Sequence, residues 1–278
     1  IRDRNLILSG TNTISGTGVI NAGDIDLIAG NKTIAAGTNL DNSAASLSNI
    51  NIYPGVTVRN DGIFITGATV TGLDATSTWI QGDGSSLKIG NDFLINGILD
   101  AAGTGNTIEY FRDGIASIKT AAGAYYNLNI SGSDTKALTA NIDINGSLNI
   151  NSGNFDPAGF SVNIAGDWIN NGGFTENGCS VILDGTGEQT LYVIGGETFY
   201  NLQLNNTGAG LISLENISVT NSLIMTSGNI EMGAYRITLG TGMSNVGTLI
   251  HTSGYITGEF ERWHTPGPEQ YYFPVGCS

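Results

Sequence analysis

The chain has 278 residues, of which only 12% are charged and 41 are glycine, so Asn, Ser and Thr carry its surface polarity. Ordinary soluble domains are about a quarter charged, and helical surfaces use Glu, Lys, Arg and Ala where pleated strands use Thr, Val, Ile and aromatics; this composition favours strands. The net charge of −14 argues against nucleic acid and anionic membranes as partners, because both need clustered Lys or Arg.

Over residues 1–86, four short apolar runs read as strands between Gly, Asn and Thr corners. They are Asn5-Leu6-Ile7-Leu8, Ile25-Asp26-Leu27-Ile28, Ser48-Asn49-Ile50-Asn51-Ile52 and Gly62-Ile63-Phe64-Ile65. This segment is expected to form irregular N-terminal coils of the fold that continues through residues 87–240, where a repeat is visible. Tyr125-Tyr126-Asn127-Leu128-Asn129-Ile130 matches Phe199-Tyr200-Asn201-Leu202-Gln203-Leu204 at an offset of 74 residues. Ser152-Gly153-Asn154-Phe155 matches Ser227-Gly228-Asn229-Ile230 at 75, and Phe160, Val162 and Ile164 match Tyr235, Ile237 and Leu239 at the same spacing. Asp92-Phe93-Leu94 stands in the same relation to Asp167-Trp168-Ile169. Residues 87–240 therefore hold two copies of a unit of about 75 residues. From about 241 the pattern shifts: Glu259-Phe260-Glu261-Arg262-Trp263 is charged, a Pro-Gly-Pro turn follows, and Tyr271 to Gly276 reads as a closing strand. Residues 241–278 are expected to be a terminal cap or the start of a further module.

Within each copy apolar and polar residues alternate, as in Leu128/Ile130 against Asn127/Asn129, which marks strands with one face in a core. The corners carry Gly, Asn, Ser and Asp, which accept the backbone angles of tight turns. Successive strands such as Leu128 and Leu148 lie about 20 residues apart, a coil length suited to a repeat solenoid. The expected fold is all-β, a parallel β-helix (β-solenoid); tandem antiparallel β-sandwich modules are the alternative.

The runs Gly166-Asp167-Trp168-Ile169-Asn170-Asn171-Gly172-Gly173-Phe174, Val181-Ile182-Leu183-Asp184-Gly185-Thr186-Gly187-Glu188-Gln189-Thr190-Leu191 and Thr198-Phe199-Tyr200-Asn201-Leu202 resemble a repeat module of large secreted surface proteins of the Bacteroidota. Ser253 to Gly258 and Tyr272 to Gly276 strengthen the likeness, which covers residues 87–278 well and 1–86 only in style. The resemblance implies an adhesin-like protein that leaves the cell by the type IX route. Ile1 stands where a start methionine would, so the chain reads as an internal fragment or a processed product.

No stretch approaches the ~18 apolar residues of a membrane span, so no membrane insertion is expected. Two cysteines, Cys179 and Cys277, make no disulfide framework, and with the two histidines His251 and His264 they offer no zinc-ligand spacing. Two acidic groups are the nearest approach to the paired carboxylates of a glycosidase: Asp184 with Glu188, and Glu259 with Glu261 beside Arg262. The first reads more simply as a turn with acidic shoulders, the second as a solvated strand edge, and no catalytic residue is assigned. No organic cofactor is expected. Calcium is the ion the turns would suit, through Asp24 and Asp26 near Gly23 and Asp83 between Gly82 and Gly84, although the calcium nonapeptide is missing. The recurring aromatics, among them Tyr125, Tyr126, Trp168, Phe199 and Tyr200, read as a stacked core before they read as a glycan-binding row. The functional expectation is an extracellular or cell-surface structural and adhesive repeat segment. Its partners would be other chains or repeats of a surface assembly, a filament included, or surface glycans. A carbohydrate-active enzyme or a glycan-binding module on the same fold is the alternative.

Overall fold

The computed structural model describes residues 5–20, 22–44 and 47–276. Cys277 lies outside them. Among the described residues there is no helix; the chain is all-β and winds as a parallel β-solenoid of about twelve coils. It divides into two compact units, Ile1–Thr139 and Ala140–Ser278.

In the first unit each coil contributes up to three short strands, one to each face. The first face holds Leu6–Ser9, Ile25–Ile28, Asn49–Ile52 and Thr69–Gly72. The second holds Asn12–Ile14, Lys32–Ile34, Thr57–Asn60, Thr78–Gln81 and Ile98–Asp100. On the third, Thr17–Val19 is followed by Asn39–Asn42, Ile63–Thr66, Ser86–Ile89, Thr107–Tyr110 and Asn127–Ile130. All these pairings are parallel, so hairpin modules are ruled out. Paired residues lie between 19 positions apart (Leu6 and Ile25) and 26 (Lys32 and Val58), which brackets the expected coil of about 20.

Because the side-chain period is two, every second residue of a strand points inward, and parallel register stacks those residues in columns. Leu40, Phe64, Leu87, Ile108 and Leu128 form one such column and are all buried. A fully buried aliphatic side chain contributes about 1.5–3 kcal/mol, so these columns hold the coils together. One column contains a charge. The alternation that turns Ile34 inward also turns Lys32 inward, below Val58 and Trp79. Its Nζ donates to the carbonyls of Ala29 at 2.8 Å, Gly30 at 2.7 Å and Gly10 of the neighbouring coil. Gly30 makes this cage feasible: it has φ 68°, and a Cβ there would stand 2.6 Å from Gly10 and Thr11. Lys136 is buried in the same way, donating to Ser133 O at 2.6 Å and Gly114 O at 3.2 Å.

The second unit has the same three-faced winding, with longer strands. Glu197–Asn205, Ile217–Ser227 and Ile230–Leu239 each run round a corner, and irregular register appears between Phe199 and Asn201 and between Glu231 and Arg236. Val162, Val181, Leu202, Leu223 and Leu249 form one interior column, and Ile217, Ile237 and Phe260 belong to another. The 75-residue match between Val162 and Ile237 therefore joins different faces. Phe155 and Ile230 behave alike, pairing with Phe174 and Leu211 respectively. The sequence repeat is not a whole number of coils, and side chains stack by coil.

The change of pattern near 241 does not interrupt the ladders, since Thr248–His251 and Ile256–Arg262 pair in parallel with the preceding coil. The closing strand expected over Tyr271–Gly276 is reduced to a single bridge, Val275 to Ile256.

Candidate functional site

The residues suited to calcium serve as hydrogen-bond acceptors between coils. Asp24 Oδ1 accepts the Asn49 backbone N–H at 2.8 Å and its Nδ2 at 3.2 Å. Asp26 Oδ1 accepts Asn51 Nδ2 at 2.8 Å, and Asp83 Oδ1 accepts the Thr104 N–H at 2.7 Å. Asp24 and Asp26 sit at the first face and Asp83 at the corner between the second and third, so the winding does not gather them. Among the described residues no three His, Cys, Asp or Glu side chains converge as a metal site would require.

The acidic groups are also tied into the fold. Burial, and then the nearby Asp143 carboxylate, raise the pKa of Asp184; Glu188 takes no part. Glu259 and Glu261 share Arg236 of the neighbouring strand at 3.4 and 3.0 Å, whereas Arg262 lies over the Tyr271 ring and donates to Tyr272 O. His251 Nε2 contacts Gly254 O at 2.7 Å. Cys179 is buried and free, its thiol pushed up to about 12 by desolvation and by Glu176. Of the aromatics, Tyr125, Trp168 and Phe199 are fully buried, Tyr126 is half-buried and Tyr200 is exposed. They do not form an exposed row of repeat equivalents.

A different place, not singled out in the sequence, has the shape of a site. On the first face of the first unit the ladder that ends at Thr69–Gly72 continues only as a bridge from Val70 to Phe93. Pairing resumes in a separate ladder at Ala116–Ser117, which pairs with Thr135–Ala137. The interruption leaves a groove of about 390 Å³, bordered by Asp92, Ile95, Ser117, Lys119, Thr120 and Thr139, with Phe93 and Ile118 beneath. Such volumes are typical of small-ligand sites. Leu94 has φ 50°, so the chain turns away from strand geometry directly after Phe93.

The wall carrying Lys119 is held from inside. Its N–H donates to the Tyr110 hydroxyl at 2.9 Å, its carbonyl accepts the Tyr125 hydroxyl, and the two hydroxyls lie 3.4 Å apart. Burial pushes the Tyr110 phenol up to about 12 and the Tyr125 phenol well above its ordinary value, so both stay protonated and able to donate. Ile118 is anchored by its N–H to Ala137 O at 2.8 Å. At the rim Asp92 is bridged to Arg112 at 3.0 Å. Periodicity could not have exposed this groove, because it arises from a missing ladder between coils; the Tyr110 and Tyr125 hydroxyls at inward positions were the available signal.

No known protein family, no characterised protein and no solved structure matches the chain. Fold and site thus define a class, a parallel β-solenoid with a small polar groove on one face, and no relative carries it further. Among the described residues no helix is long and apolar enough to cross a membrane.

Proposed function

We propose that the chain is a structural and adhesive repeat segment of a bacterial cell-surface or secreted protein, working outside the cell as a firm spacer. Its partners on this reading are further chains or repeats of a surface assembly, or surface glycans. One observation carries the proposal: outward polar side chains along both units bond coil to coil. Asn51 bonds Asp26, Asn154 bonds Thr175, Asn201 bonds Ser180, and Gln203 bonds Thr226, at 2.8–3.1 Å. Side chains engaged in this way stiffen a stack and are withdrawn from catalysis. The resemblance of residues 87–278 to repeat modules of secreted Bacteroidota proteins supports the same reading, as does the acidic surface, which keeps such a segment soluble.

The test is to stretch the full chain in a single-molecule pulling experiment and, in parallel, to incubate it with a panel of polysaccharides. The expected result is mechanical resistance, with length released in steps of one or a few coils, and no new reducing or unsaturated ends. Polysaccharide cleavage above a heat-denatured control would replace the spacer with an enzyme.

A further inference from the structure

Among the described residues, every basic side chain except one has a partner. Lys32 and Lys136 sit in carbonyl cages. Arg59 meets Asp61, Lys88 meets Glu109, Arg112 meets Asp92, and Arg236 meets Glu259 and Glu261. Arg262 donates to the Tyr272 carbonyl. The exception is Lys119. In a chain with 24 acidic and 10 basic residues an unpaired ammonium is conspicuous, and this one borders the groove of about 390 Å³.

We infer that the groove beside Lys119 binds a carboxylate-bearing saccharide, a uronate unit of an acidic glycan. Lys119 Nζ takes the carboxylate, and the hydroxyls of Ser117, Thr120 and Thr139 meet those of the sugar. A single ammonium suits a monoanion, and a bond between two charged groups is stronger than a neutral one. A phosphate dianion fits less well, because Asp92 also borders the groove and would repel the second charge. Arg112 holds Asp92 in place and neutralises part of its field. The three threonine and serine hydroxyls can each donate and accept, matching sugar hydroxyls that do the same. Exposed Ile95, backed by the buried Phe93 and Ile118, offers an apolar surface to the C–H face of a ring. The Tyr110–Tyr125 pair fixes the Lys119 backbone in advance, so little ordering is left for binding to oppose. Partial burial strips water from the amine and lowers its pKa from the ordinary lysine value of 10.5, a cost that a bound anion would offset.

This rests on the adhesive reading only for the choice of a glycan, and its failure would leave the spacer role untouched. The experiment is calorimetric titration of the full chain with tri-galacturonate, with a neutral trisaccharide, inorganic phosphate and an Asp/Glu-rich peptide as the other arms. Saturable binding of the acidic trisaccharide alone is expected, lowered at least about tenfold in Lys119→Gln, a loss of the order one charge-assisted bond provides. Lys119→Arg should retain most of the affinity and Lys88→Gln all of it. Should Lys119→Gln fail to fold, Asp92→Asn serves instead: removing the opposing carboxylate should tighten binding. No saturable binding, equal binding of the neutral sugar, preference for phosphate or the peptide, or no response to either variant would overturn the assignment.

Discussion

The two units bury the same device with different chemistry. In the first, the Trp79 indole N–H and Asn60 Nδ2 both donate to Gln81 Oε1 at 3.1 Å. In the second, the Trp168 indole N–H and Asn170 Nδ2 both donate to Glu197 Oε2, at 3.1 and 2.8 Å. Each asparagine also accepts the N–H of a glycine two residues on, Gly62 or Gly172. Each tryptophan sits in an aromatic cluster, Trp79 with Phe64 and Phe93, Trp168 with Phe174 and Phe199. The acceptor differs, and so does its place: Gln81 follows Trp79 by two residues and Asn60 lies a coil earlier, whereas Asn170 follows Trp168 by two residues and Glu197 lies further along the chain. An amide brings two N–H donors with it, and Gln81 Nε2 is left buried without a partner. A carboxylate brings none, so Glu197 leaves no orphan donor and also accepts the Thr198 N–H at 3.2 Å. Its cost is desolvation, which raises its pKa while the donors from Asn170, Thr198 and Trp168 oppose the rise. The same pair of donors is thus met either with an orphan N–H or with a buried acid.

Removing the shared part should cost most. Trp79→Ala and Trp168→Ala each delete a fully buried ring and its indole donor, and each should destabilise by about 3–5 kcal/mol in denaturant unfolding. A loss below about 1 kcal/mol at either site would mean that the cluster does not hold the coils together.

Removing one donor should separate the units. Asn60→Ala deletes two amide donations between neutral groups, to Gln81 Oε1 and to Ser86 O at 3.0 Å, with an expected loss of about 1–2 kcal/mol. Asn170→Ala deletes a shorter bond to a carboxylate, and at pH 8 the loss should be about 2–3 kcal/mol. A smaller loss at Asn170 than at Asn60, which gives up one bond more, would show that the charge on Glu197 adds nothing to the bond.

The acid also gives the second unit a pH dependence that the first lacks at this position. With its folded pKa raised above the ordinary 4.5, Glu197 holds its proton more tightly when folded. Its contribution is fully present below that ordinary value, declines as pH rises toward the folded pKa, and is constant beyond it. Glu197→Gln should therefore gain on the parent chain as pH rises through that window and run parallel to it above. Melting curves of both proteins across pH 4–8 would check this; a constant difference throughout would mean that Glu197 titrates normally.

What the sequence made legible is what alternation encodes. Ile25–Ile28 and Asn49–Ile52 stand where period two placed them, and Leu128, Leu148 and Leu202 point inward as expected. Alternation says which residues face in; it does not say which residue lies on the next coil. That depends on corner length, which varies enough for coils to run from 19 to 26 residues. The 75-residue match therefore relates Val162 and Ile237, which lie in different columns. The same limit hid the partners of Glu197, which lie 27 and 29 residues away, and the groove at Lys119. Lys32 is a milder case, since its inward phase is readable but its carbonyl cage is not.

The outward rungs extend the comparison to bonds that water can replace. Asp24 accepts two hydrogen bonds from Asn49 at one oxygen, on an exposed corner. Exchange with water there is cheap, so Asp24→Ala should cost only about 0.5–1 kcal/mol, well below either interior asparagine. The same geometry bears on calcium. A calcium ion collects six to eight oxygens, and the bonds that Asp24, Asp26 and Asp83 make are to N–H groups on neighbouring coils. Each of these carboxylates has one oxygen engaged by such a donor, and among the described residues no three acidic side chains converge to complete an ion's shell. Melting temperature should thus be the same in a chelator and in millimolar calcium, for the parent and for Asp24→Ala. A rise with calcium that disappears in the variant would show that the rung opens to take the ion, and would make the outer surface of this solenoid a metal-responsive one.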